Sequence, residues 1–120
     1  HARGAKVLGK VYAGAVPAPP EGANDFMDLM VRHVFGEVWS REALSIRDRR
    51  LLVMGVIAAR GAADVWKVQA RAALVNGELD EDELRETVVQ LAPYAGYPCV
   101  SGLVAATEQA IAETKQERSR

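Results

Sequence analysis

A single cysteine, Cys99, serves the whole chain, so no internal disulfide can form. Histidine is almost as scarce. Only His1 and His33 are present, no Asp/Glu/His cluster has the spacing of a ligand set, and no metal is expected. Long apolar runs are missing too. The longest, LLVMGVIAA at residues 51–59, has nine residues, about half of what a membrane-spanning helix needs. It reads as a core helix, and no membrane partner is expected. No stretch combines a basic start, an apolar run and a small-residue cleavage site, so the expected compartment is the cytoplasm. Nor does one sign of charge dominate. Fifteen basic and sixteen acidic residues are mixed along the chain, which argues against nucleic acid as a main partner. Finally, apolar and polar residues nowhere alternate for long enough to suggest a strand, and the fold class is read as all-α.

What is present is helical spacing, recurring six times between turn signals. At 120 residues and 49% hydrophobic content the chain suits one domain, residues 1–120, with a real core. A first helix over residues 3–16 places Val7, Leu8, Val11, Tyr12 and Ala15 on one side, and PAPPEG stops it by removing backbone donors. Asn24 or Asp25 caps a second helix with Phe26, Leu29, Met30 and Val34 inward, and Gly36 loosens its end. Ser45 followed by Asp48 opens a third helix, charged in its first turn and then apolar on every face. Such a helix has no side left for water, which points to a second subunit covering part of it. Gly61 ends it, a fourth helix runs over residues 64–76 to Gly77, and Asp80 with Glu83 forms a capping box for a fifth. Pro93 is expected to kink or end that helix. Pro98 suits the first position of a sixth, which carries Val100, Leu103, Val104 and Ile111 and frays into KQERSR.

Several pieces carry a family likeness: GEVWSR at residues 36–41, Arg49, ALVNG at residues 73–77 followed by DEDELRE, and YAGYP at residues 94–98. In this order and spacing the chain resembles the carboxymuconolactone decarboxylase family, most closely from Phe35 to the end of the sixth helix. The resemblance implies an all-helical subunit of the alkylhydroperoxidase D-like superfamily, assembled as a homo-oligomer, a hexamer or trimer. It also implies a small-molecule substrate.

Two chemistries belong to that superfamily. The redox branch carries C-x-x-C-x-x-x-H with an upstream Glu, positions that fall here on Ala62, Val65, Gln69 and near Arg50. All four are lost, and a thiol peroxidase needs a second thiol to resolve the oxidised one. Cys99, at the start of the sixth helix, reads as a small apolar residue. The decarboxylase branch acts on an unsaturated γ-lactone bearing a carboxylate, and the electrons left by carbon dioxide flow into the lactone carbonyl. The substrate is its own electron sink, so no cofactor is expected. What the site must do is hold carboxylates, stabilise an oxyanion and deliver a proton to carbon.

The family's decarboxylases carry a histidine in the fourth helix where this chain has Gln69. Glutamine can donate a hydrogen bond to an oxyanion but cannot transfer a proton near neutral pH. Glu37 is the candidate acid or base, desolvated by Trp39 or else paired with Arg49. Arg49 matches the family's arginine and is the candidate anchor for charge. Trp39, His33 and Tyr94 are candidates for substrate contact, His33 because it lies four residues before Glu37 on one helical face. Trp66 is read as lining or core. Arg41, Arg47 and Arg50 are read as solvated or interface charges. A cofactor-independent carboxy-lyase is the leading expectation. An antioxidant thiol protein and a non-catalytic ligand-binding oligomer are the alternatives.

Overall fold

Turn residues and caps cut the chain into helices, and the computed structural model, which describes residues 1–119, has no strand among them. Six helices are present among the described residues, one of them continued by a π-helix, as the all-α reading expects. The chain divides into two compact units, residues 1–49 and 50–120.

In the first unit, α1 (Ala2–Val11) stops five residues short of the expected end. Ala13 (φ 52°) and Gly14 (φ 76°) turn the backbone into the left-handed region before the prolines are reached. Its inward face is Gly4, Leu8 and Val11, while Ala15 lies exposed beyond the helix. Asn24 caps α2 (Asp25–Leu29), its side chain accepting from the Met27 N–H at 2.8 Å. The helix then widens into a π-helix, Met30–Val38, whose last turn is closed by Trp39 N–H donating to Val34 O at 2.9 Å. The expected face holds only in part, with Met30 and Val34 half-buried. Phe26 and Leu29 are exposed, and Val31, Phe35 and Gly36 are buried. Gly36 does not loosen an end. The close approach is made by Gly4, where a Cβ would run into the Val31 carbonyl, whereas a Cβ on Gly36 would make an ordinary contact 3.5 Å from Gly4 Cα.

Four helices build the second unit's core. In α3 (Ile46–Ala59), opened by Ser45 Oγ accepting from Asp48 N–H at 3.0 Å, the inward residues are Met54, Ile57 and Ala58. Leu52 and Val56 are 63% and 59% exposed, so within one chain this helix does have an outer side. Gly61 (φ 63°) ends the turn and α4 (Ala63–Val75) follows, closed by Gly77 at φ 70°. Trp66 is core, wholly buried, with its indole N–H donating to Thr107 Oγ1 at 2.8 Å on α6 (Tyr97–Arg118). Both halves of the expected capping box are formed on α5 (Glu81–Ala95).

Pro93 does not end α5. It sits on the exposed side, and the helix continues two residues further to Gly96, whose φ of 96° begins the next turn. Pro98 takes the second position of α6, not the first. That helix does not fray over KQER: it persists to Arg118, whose guanidinium donates to Leu74 O at 2.8 Å, and the last residue of the expected frayed end, Arg120, lies outside the described residues. Val104, expected inward, is exposed. Arg85 on α5 clasps Glu108 on α6 at 2.9 and 3.0 Å, and that hydrogen-bonded guanidinium holds the Glu108 carboxyl below its usual range. No helix among the described residues is long and apolar enough to cross a membrane.

Candidate active site

Arg50 is the residue that the sequence reading misplaced. It stands four residues before Met54 and seven before Ile57, so helical geometry carries it onto α3's buried face, where its side chain is 0% exposed. A lone buried guanidinium would be prohibitive. The partner comes from the α4–α5 turn. Gly77 reverses the chain, Glu78 N–H closes back onto Ala73 O at 2.9 Å, and the Glu78 side chain is aimed inward. Its carboxylate takes Arg50 Nε at 2.9 Å and Nη2 at 3.2 Å, a two-pronged contact matched to the guanidinium fork. Asn76 Nδ2 donates to the same carboxylate at 3.1 Å.

The remaining nitrogen of the fork reaches Gln69. Arg50 Nη1 donates to Gln69 Oε1 at 2.6 Å, and Gln69, on the α4 face next to Ala70 and Ala73, is 2% exposed. With its oxygen held by a cation, the amide keeps its NH2 end as the donor. Gln69 is thus part of a charged cluster with Arg50 and Glu78, of which the sequence offers only Gln69 as a site candidate. The signal was the i, i+4, i+7 register of Arg50 with Met54 and Ile57. Arg41 and Arg47 are exposed, as expected of that arginine-rich segment.

The first unit holds the other candidates. His33 Nδ1 and Glu37 Oε2 are 3.0 Å apart across one turn, and both side chains face water, 64% and 66% exposed. Neither environment expected for Glu37 is found. Trp39 is buried, but it stacks on Phe35 at 6.3 Å and leaves the carboxylate in solvent. Arg49 does not pair with Glu37. Its Nη2 donates to Arg41 O at 3.0 Å, and its Nε is shut away from solvent with no acceptor. In the second unit, Tyr94 stands on α5 at 83% exposure, and Cys99 is a half-buried free thiol beside Gly61.

The family model described as the carboxymuconolactone decarboxylase family matches residues 24–109, which include both groups of side chains. The chain belongs to this family. Over 86 residues it is 34% identical to a 4-carboxymuconolactone decarboxylase of Acinetobacter baylyi, a match covering 72% of this chain and 63% of the relative. Over 78 residues it is 33% identical to a nitrosuccinic acid decarboxylase of Metarhizium robertsii, covering 64% of this chain and 54% of that protein. The chain thus spans little more than half to under two thirds of the length of these relatives. Both carry the name of a decarboxylase.

Proposed function

We propose that this member of the carboxymuconolactone decarboxylase family is a cofactor-independent carboxy-lyase for a small acid that carries its own electron sink. The observation that carries the reading is the buried Gln69 amide, whose oxygen is already taken by Arg50. Such a group is a preorganised donor for an oxyanion. The two relatives' names support the substrate class, since carboxymuconolactone has a lactone carbonyl joined through a C=C bond to the carboxylated carbon and nitrosuccinic acid has a nitro group on it. In either compound the C–C bond to one carboxylate breaks and carbon dioxide leaves. The electron pair then settles on an oxygen of the sink, and one proton is added to carbon.

Roles follow from what each side chain can do. Gln69 donates to the developing oxyanion. Within the first unit, Arg49 has a buried Nε in need of an acceptor, which suits a carboxylate, and Glu37 with His33 hydrogen-bonded to it is a group able to give up a proton, which Gln69 is not. A thiol peroxidase reading has nothing behind it, with Ala62 and Val65 at the cysteine positions and Cys99 without a partner thiol.

The test is carbon dioxide release from 4-carboxymuconolactone and from nitrosuccinate, read against buffer. Turnover of at least one is expected, with kcat falling about 100-fold in Gln69→Ala. Release that survives Gln69→Ala unchanged would remove the oxyanion role.

A further inference from the structure

A carboxamide can present either end, and a half-turn about its last torsion exchanges donor for acceptor. At position 69 that choice is made by the protein. The oxygen lies 2.6 Å from Arg50 Nη1, and a half-turn would set N–H against N–H inside a buried cluster. The guanidinium itself cannot swing to accommodate the exchange. Glu78 grips its other edge at 2.9 and 3.2 Å, and Asn76 pins the carboxylate from behind at 3.1 Å. Gly77's left-handed backbone is what delivers both Asn76 and Glu78 to this place.

We propose that Arg50, braced by Glu78, is a positioning residue that makes Gln69 a one-way hydrogen-bond donor and so selects ligands that present an acceptor oxygen there. The proposal rests on the reading above, in which Gln69 serves the developing oxyanion. It adds two things to it. A cation on the amide oxygen polarises the amide and strengthens its N–H as a donor. A carbonyl, nitro or carboxylate oxygen is accepted at that point, and an ammonium or amide N–H is refused.

A double-mutant cycle separates positioning from mere support. The paired variant Arg50→Met/Glu78→Gln removes both charges together, so that neither is left buried alone. Measured on whichever of the two acids is decarboxylated, it is expected to lower kcat about 10- to 100-fold with KM nearly unchanged. In a Gln69→Ala background the same pair should cost nothing more. Losses that multiply would show that Arg50 does not act through Gln69 and would overturn the proposal. Should the paired variant fail to fold, Arg50→Lys keeps the charge but loses the fork, and a smaller loss of the same non-multiplying kind is expected.

A second readout needs no turnover. The side-chain amide signals of Gln69 in a proton–nitrogen NMR spectrum, identified by their absence in Gln69→Ala, should shift and exchange faster with water once Arg50 is replaced. Unmoved signals overturn the positioning whatever the activity. Signals that move, in a protein that decarboxylates neither acid, uphold the positioning and reject the reaction assigned above.

Discussion

Glutamine at position 69 has a guanidinium behind it, and this decides what a histidine could do in its place. An imidazole there would meet Arg50 Nη1, now 2.6 Å from the Gln69 oxygen, and could only accept from it. Accepting that bond favours the neutral ring, and so do burial and the adjacent cation. In Gln69→His the introduced imidazole is therefore expected to titrate below the ordinary value of about 6.5. It would stay unprotonated at neutral pH and supply no proton to carbon. An NMR titration of its ring protons checks this, with His33, exposed and bound to Glu37, as the internal comparison. A normal or raised value would mean that the Arg50 to Gln69 bond does not survive the exchange. Simply placing a histidine at position 69 of this chain is thus predicted not to supply an acid, since its neighbour there is a buried cation.

The helix pair of the first unit depends on the absence of a side chain at Gly4. Gly4 on α1 faces the Val31 carbonyl so closely that a Cβ would overlap it, and Gly36 on the π-helix lies against Gly4. Gly4→Ala should destabilise the protein by about 2–3 kcal/mol, as overpacking does. Gly9→Ala, on the same helix with nothing within 4 Å of the new Cβ, should stabilise it by about 0.5–1 kcal/mol. Urea unfolding of the full chain measures both, and equal shifts of the same sign would show that α1 is not packed as described. Caps and stops were legible in the sequence because their physics is local: Asn24, the Asp80 and Glu83 box, Gly61 and Gly77 all act within a turn. The π-helix was not legible. A shift of one residue in hydrogen-bond register leaves composition untouched yet moves burial from Phe26 and Leu29 to Val31 and Phe35. Arg50 was misread for a different reason. Its burial requires Glu78, 28 residues away, and a rule about residue types cannot see a partner that the fold supplies. For the candidate site, GEVWSR and Gln69 were visible as motif positions, while the exposure of Glu37 and the charge behind Gln69 depend on tertiary packing.

Beyond single elements, the chain leaves apolar surface uncovered. Leu52 and Val56 lie one turn apart on α3 at 63% and 59% exposure, in the run that the sequence reads as apolar on every face. Neighbouring exposed leucine and valine on a helix are poorly suited to water, and a second copy of the chain is the partner we propose for them. Leu52→Glu/Val56→Glu is the test. If the two residues face another subunit, the charges would be buried there at high cost, and light scattering should show the mass falling from a multimer to one chain of 13.0 kDa. Stability within the chain should hardly change, because substitutions at exposed positions usually stay within about 0.5 kcal/mol. Helical circular dichroism separates the outcomes. A monomer with intact helix content supports the subunit contact, whereas loss of helix would mean that α3 needs these side chains inside its own chain. A wild-type protein that is already monomeric at assay concentration would end the idea and would leave the Arg50, Gln69 and Glu78 cluster to work within a single chain.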